Sequence, residues 1–172
     1  MMQDLPKEIE RKYLITCPDK KFLENLPDCQ ATAITQVYLI QDKSGFMRRV
    51  RKRGVNHHWQ YTYTKKKKIA FGERIELESE ISESEYQNFL QEADPAHKII
   101  QKTRYCIAYQ KQVLELDIYD FSQELATVEI ELPDINMPVQ LPDWLNIIAD
   151  VTDKKGYSNF DLSVTLAFPE KI

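Results

Sequence analysis

The stretch KEIERKYLI, Lys7 to Ile15, places Glu8, Glu10 and Lys12 on every second position. In an extended strand these three side chains leave one face, while Ile9, Arg11, Tyr13 and Ile15 leave the other. The plainest explanation is a half-buried strand whose charged face meets water. Two carboxylates at i and i+2, however, stand about 7 Å apart. At an effective dielectric near 20 their repulsion is about 2 kcal/mol. A strand that keeps this pair is best explained by something positive in front of it.

The pattern recurs down the chain. In FMRRVRKRG, Arg49, Arg51 and Arg53 share a face. In ERIELESEI, Arg74, Glu76, Glu78 and Glu80 align against Ile75, Leu77 and Ile81. Lys102 and Arg104 align against Tyr105 and Ile107, Glu115 and Asp117 against Leu114, Leu116 and Ile118, and Glu129 and Glu131 against Val128, Ile130 and Leu132. A solvent face usually mixes charge signs within a strand; here they come as same-sign pairs. The cations are mostly arginine, suited to bidentate capture of phosphate oxygens, and the paired glutamates suit a hard divalent cation. A sheet closed with these faces inward is a barrel with a charged lumen. Such a lumen is costly to leave uncompensated and suits a polyanion with a metal ion.

Strand-like runs fall at about 8–15, 36–41, 46–53, 58–66, 72–81, 99–109, 112–119 and 125–132, with turn signals at DKSG (42–45), RGVN (53–56) and YQKQ (109–112). These short connections favour antiparallel hairpins. Helical patterns occupy 17–26, with Pro18 in the first turn, and 82–93, where Ser82 and Glu85 have capping-box spacing. Helical turns are also expected over 141–150 and 157–167. PDINMPVQLP reads as a connection within one domain.

A chain of 172 residues with 42% hydrophobic and 10% aromatic content can bury one substantial core, so residues 1–172 are expected to form a single domain. The net charge of −4 argues against duplex nucleic acid as a partner, although 23 Lys and Arg leave room for a local basic site. No apolar run is long enough to span a bilayer, and MMQDLPKEIERK has no secretory h-region. Cys17, Cys29 and Cys106 lack CxxC spacing and read as reduced thiols, so a cytoplasmic protein with no membrane partner is expected. His57 and His58 are adjacent in a turn and point apart, and His97 is expected to face solvent. Cys106 has no base near it in sequence to make it a nucleophile. Trp59, Tyr61 and Tyr63 read as barrel wall, and Trp144 as packing outside it.

Glu8-Ile9-Glu10-Arg11-Lys12 resembles the ExExK signature of the CYTH domain, the triphosphate tunnel metalloenzymes. The resemblance continues in order through RVR (49–51), Lys65, RIELE (74–78), KTRY (102–105), ELDIY (115–119), VEIEL (128–132) and DVTDKKGYSN (150–159). It implies a mainly β fold, a closed antiparallel eight-stranded β-barrel tunnel with helices packed outside. It also implies hydrolysis of a triphosphate with Mg²⁺ or Mn²⁺. On this resemblance Glu8, Glu10 and one or both of Glu129 and Glu131 hold the metal. Lys12, Arg49, Arg51, Lys65, Arg74, Lys102 and Arg104 cradle the phosphates, with Lys154 or Lys155 closing one end. Lys12 also counts, with the four glutamates, among the catalytic set. In the run 65–68, Lys65 is expected in the lumen and Lys66–Lys68 in a solvated hairpin turn. Glu76, Glu78, Glu115 and Asp117 orient water or hold arginines, most of them the latter.

Inorganic tripolyphosphate, cleaved to pyrophosphate and phosphate, is the expected small-molecule substrate. The alternatives are a thiamine triphosphatase, a nucleoside triphosphatase, an adenylate cyclase on the same fold, or a non-catalytic polyphosphate binder. Cyclase-type members are expected to carry a histidine-and-phenylalanine segment before ExExK, which MMQDLPK lacks. The residues leave the oligomeric state open, a homodimer included.

Overall fold

In the computed structural model, which describes residues 5–172, the chain runs β1 (Lys7–Thr16), α1 (Lys20–Glu24), β2 (Cys29–Tyr38), β3 (Met47–Val55), β4 (His58–Ala70), β5 (Glu73–Ile81), α2 (Glu83–Phe89), a 3₁₀ turn (Leu90–Glu92), β6 (Ile100–Tyr109), β7 (Gln112–Tyr119), β8 (Leu125–Glu131), β9 (Ile147–Asp150) and α3 (Asn159–Thr165). The cyclase reading of MMQDLPK rests partly on residues 1–4, which lie outside the described residues.

The sheet order is β5-β4-β3-β2-β6-β7-β8-β1-β9, and a β5–β1 pairing closes it. All pairings are antiparallel. The result is a closed eight-stranded barrel with β9 as an extra strand. Closure is short, with Lys7 opposite Ile75, Glu8 opposite Arg74 and Ile9 opposite Glu73. Beyond it β9 takes the same edge of β1, Tyr13 pairing with Asp150. Ile147–Asp150 is therefore a strand, not the helical turn expected over 141–150, because the edge of β1 supplies it with backbone partners. The second strand begins at Cys29, seven residues before the expected run, since its polar first half pairs fully with β6.

The turns follow local chemistry. Asn56 and His57 have φ of +50° and +65°, and Gln110 and Lys111 have +48° and +62°. Paired left-handed residues make the two-residue hairpins whose twist suits antiparallel strands. Ser82 caps α2 by accepting from the Glu85 N–H, while the Glu85 carboxylate accepts from the Ser82 N–H, the expected capping box. Asp19, not the first helical turn at Pro18, caps α1.

Aliphatic faces point outward, where other elements cover them. Ile107, Leu114, Leu116, Val128 and Ile130 are buried under α1 and the segment carrying Leu145, with Trp144 set edge-on to Phe22 at 5.2 Å. Val37, Val50 and Tyr61 pack beneath Tyr86 and Phe89 of α2. One end of the barrel interior is apolar. Leu14, Tyr38, Ile100 and Tyr119 are buried there against Leu162 of α3, Val151 and Tyr157. His97 belongs to this cap and is not solvent-facing as expected. Its ring lies 4.1 Å from Phe160, and Nδ1 is 2.6 Å from Ser163 Oγ. Among the described residues, no helix is long and apolar enough to cross a membrane.

Candidate active site

The charged faces of the strands turn inward and line a cavity of about 430 Å³. Glu8, Glu10 and Lys12 of β1 face it beside Glu129 and Glu131 of β8. The register pairs Glu10 with Glu131 and Lys12 with Glu129. From β3 come Arg49, Arg51 and Arg53, from β5 Arg74, Glu76 and Glu78, from β6 Arg104 and from β7 Glu115. The segment after β9 brings Asp153, Lys154 and Lys155 to the rim; both lysines line the cavity and both are exposed.

Two expected positions differ. Lys65 points away from the lumen, with Nζ 3.4 Å from Asp42 Oδ2. Lys66 points in, with Nζ 2.7 Å from both Glu8 Oε2 and Glu76 Oε2. The run 65–68 is not a turn, because β4 continues to Ala70 and pairs with β5 throughout. Arg49 lies opposite Thr64, so the inward positions of β4 are 62, 64, 66 and 68. Lys102 faces inward but does not reach the cavity. Its side chain is fully enclosed, with Nζ 2.6 Å from Asp117 Oδ2.

Most lumen cations already hold a carboxylate. Lys12 Nζ is 3.0 Å from Glu129 Oε1, and Arg51 Nη2 donates to Glu78 Oε2 at 2.9 Å. Arg74 donates to Glu10 Oε1 at 3.2 Å and to Asp153 Oδ1 at 2.5 Å. Arg104 is the most heavily engaged, donating to Asp117 through Nε (2.7 Å) and Nη2 (2.9 Å) and to Glu115 through Nη1 (2.6 Å). Glu76, Glu78, Glu115 and Asp117 thus each contact a cation. Arg49 is the contrast: 5% exposed, with no carboxylate among its hydrogen-bond and ion-pair partners in the described residues, and a buried Nε–H that donates to nothing. The Nε–H of Arg51 is orphaned too.

The electrostatics follow from this crowding. Burial, then the neighbouring charges of Glu129 and Glu8, push the Glu10 carboxyl up to about 8. Glu129 moves the other way: burial would raise it, but Lys12 and Arg104 hold it well below the usual carboxylate range. Burial, reinforced by Arg49, lowers Arg51 to about 10. Burial pushes Lys102 down to about 7 against the pull of Asp117.

Glu8, Glu10 and Glu129 are close enough to perturb one another, a set of hard oxygen donors with excess negative charge at Glu10. That is the chemistry a divalent cation relieves, so the residues fit one. Among the described residues no group of three acidic, histidine or cysteine side chains already stands in a metal-holding arrangement, each of these carboxylates being turned to a cation.

Several lining residues carry no strong sequence signal: Lys66, Lys68, Thr152 and Asp153; Arg53 shares the face of Arg49 and Arg51 but stands outside the RVR motif. The clue to Lys66 is Tyr61 and Tyr63, whose outward alternation, carried forward, assigns the even positions to the lumen.

Comparison with known proteins adds a lineage to this geometry. The inorganic triphosphatase NE1496 superposes with a TM-score of 0.58 at 26% identity, over 92% of this chain and 98% of that one. A conserved hypothetical protein of Pyrococcus furiosus gives 0.53 at 21% identity, covering 74% and 80%. A protein of Bacillus halodurans described as a putative adenylate cyclase gives 0.52 at 16%, covering 75% and 83%. These last two are similar in fold. Comparison with curated proteins gave no significant match. A family model for the CYTH domain matches residues 6–162, the whole barrel and the segment after β9, and the chain belongs to the CYTH domain family.

Proposed function

We propose that this protein is a metal-dependent triphosphatase that hydrolyses inorganic tripolyphosphate to pyrophosphate and phosphate inside the tunnel. The observation that carries the reading is Arg49, a buried guanidinium with no carboxylate hydrogen-bonded or ion-paired to it among the described residues and with an orphaned donor, facing the cavity beside the half-satisfied Arg51. A buried cation in that state wants an anion, and its planar fork suits phosphate oxygens. Most of the lining is charged, with Tyr38, Met47, Val151 and Phe160 as an apolar portion at one end, and the predominance of charge favours an inorganic chain over one with an organic head group. The similarity to an inorganic triphosphatase at 26% identity supports the same choice.

In this reading Arg49, Arg51, Arg53 and Lys66 grip phosphate oxygens and stabilise charge that builds on them as the anhydride bond breaks. Glu8, Glu10 and Glu129, with Glu131 at the rim, would hold the divalent ion. When bound, the ion supplies neutralisation of phosphate oxygens and a more acidic attacking water. Lys12 stands beside Glu129 and keeps that carboxylate ionised. Arg104 is held by Asp117 and Glu115, so its orientation is set before substrate arrives. Water oxygen bonds to a terminal phosphorus, the bridging P–O bond breaks with its electron pair leaving on pyrophosphate, and the proton lost by the attacking water passes to the released phosphates or to solvent.

Phosphate release from tripolyphosphate, thiamine triphosphate and ATP, each with Mg²⁺, Mn²⁺ or excess chelator, tests this. Tripolyphosphate turned over fastest, and only with metal, is the expected result. Turnover unchanged in chelator, or none on any triphosphate, sinks it.

A further inference from the structure

Asp153 lies in the segment after β9 with a left-handed backbone, φ +53°, which aspartate tolerates. Its side chain is only 5% exposed and takes three donors: the Gly72 N–H at 2.6 Å, Arg74 Nη2 at 2.5 Å and Lys68 Nζ at 3.2 Å. With both oxygens engaged, it is poorly placed to activate water itself. Its partners lead to the centre of the site. Arg74 donates its other amino group to Glu10, and the Gly72 carbonyl accepts the Glu10 N–H at 2.9 Å. Asp153 therefore reaches Glu10 by two routes, one through a side chain and one through the backbone.

On its other side Asp153 is followed directly by Lys154 and Lys155. Thr152 ties the start of this strap to β1, its Oγ1 accepting the Lys12 N–H at 2.9 Å, and the Lys154 N–H donates to the Val151 carbonyl at 3.0 Å. Among the described residues, the hydrogen bonds and ion pairs that link the two-lysine strap to the β4–β5 turn across the mouth are those of Asp153. Burial works to raise the Asp153 pKa, but the Gly72 N–H, Arg74 and Lys68 outweigh it and hold the group below its usual range as a carboxylate.

We propose that Asp153 is a positioning residue with two duties: it holds Arg74 between Glu10 and the bound phosphate chain, and it staples the Lys154–Lys155 strap onto the β4–β5 turn. The first duty rests on the tripolyphosphate reading above; the second does not.

Two arms test it. Asp153→Asn keeps an acceptor for the Gly72 N–H and loses the charge that holds Arg74; Asp153→Ala loses both. Calorimetry of tripolyphosphate in excess chelator, without turnover, is run on Asp153→Asn, Arg74→Gln and the double variant. Asp153→Asn weakens binding about 10-fold, the size of one charge-assisted contact. In the Arg74→Gln background it costs less than about 2-fold, because its effect passes through Arg74. Equal losses in both backgrounds overturn the first duty, and a purely structural role would give that result. In the second arm, tryptic cleavage after Lys154 and Lys155 is timed without phosphate. Asp153→Ala is cut at least about 5-fold faster than wild type, while Asp153→Asn stays near it. Cleavage of Asp153→Ala at the wild-type rate overturns the staple. Asp153→Asn preserves side-chain size and Arg74→Gln keeps a polar, hydrogen-bonding side chain without the charge, so the first arm stays decisive if Asp153→Ala does not fold. A wild-type protein that binds no tripolyphosphate sinks the functional reading; the tryptic arm still decides the staple.

Discussion

Lys66 of β4 reaches Glu8 of β1 past the intervening β5 of the closed barrel, its Nζ 2.7 Å from Glu8 Oε2, and so neutralises the first carboxylate of the ExExK strand from inside the tunnel. Lys65, one residue earlier, is on the outer surface with Asp42. This contrast separates two lysines that composition cannot tell apart. Lys66→Ala should weaken tripolyphosphate binding by 10-fold or more, about 1.4 kcal/mol, because a lumen cation is lost. Lys65→Ala should change it by less than about 0.5 kcal/mol. Calorimetry on the pair decides the matter, and an equal loss from Lys65→Ala would refute the inward assignment of Lys66.

Glu10 gives a pH signature. Its folded pKa, about 8, lies above the ordinary carboxylate value, so between roughly pH 4.5 and 8 the native state binds more protons than the unfolded chain. Stability from this group is therefore highest below that window and falls as pH rises through it, by at most about 1.4 kcal/mol per pH unit. Other carboxylates, Glu129 among them, slope the opposite way, so the difference from Glu10→Gln isolates the effect. In metal-free urea titrations Glu10→Gln should match wild type near pH 5 and exceed it at pH 8.5. Turnover should nonetheless collapse, with tripolyphosphate binding retained. Parallel stability curves for the two proteins would contradict the crowding of Glu10 by Glu8 and Glu129.

Arg49 and Arg104 should respond oppositely to truncation. Arg104→Ala strands the enclosed Asp117 with only Lys102 and should cost about 3–5 kcal/mol of stability, as when one partner of a buried pair is removed. Arg49→Ala strands no carboxylate, so the empty protein should be as stable as wild type or more so, while tripolyphosphate affinity falls 10- to 100-fold. Thermal unfolding with and without tripolyphosphate reads both. A large loss of stability for Arg49→Ala would mean that the residue serves the fold and not a ligand.

Gly72 turns β4 into β5 at φ +68°, and a Cβ there would lie 2.5 Å from Ile135 Cδ1 and 3.0 Å from the Glu10 carbonyl oxygen. Gly72→Ala meets both backbone strain and collision, and about 1–3 kcal/mol of stability should be lost. Because the Gly72 carbonyl accepts the Glu10 N–H, turnover should fall as well. Urea denaturation and phosphate release on the same sample check this, and a variant unaltered in both would show that the turn yields freely.

Much of the barrel is legible in local patterns. Alternation in 8–15, 72–81 and 125–132 marks the strands and their charged faces, and the hairpin signals at 53–56 and 109–112 fall on the turns. The errors have local causes too. Residues 141–150 carry apolar spacing compatible with a helix, and only the free edge of β1 makes Ile147–Asp150 a strand. Four consecutive lysines contain no alternation, so a shift of one residue moves every side chain to the opposite face. His97 carries no sign of the ring of Phe160, which arrives from sixty-three residues away.

By itself, then, the order of residues determined which side chains share a strand face, that those faces carry same-sign pairs, and through ExExK and its successors the family to which the chain belongs. The tertiary structure decided that the charged faces turn inward, that Lys66 and not Lys65 enters the tunnel, that Lys102 is engaged by Asp117 while Arg49 has no carboxylate ion pair among the described residues, and that Asp153 joins the strap to Glu10. The division has a physical basis. A period of two is set by the backbone of neighbouring residues, whereas closure, register and charge pairing depend on strands far apart in sequence and on which ions share a low-dielectric interior.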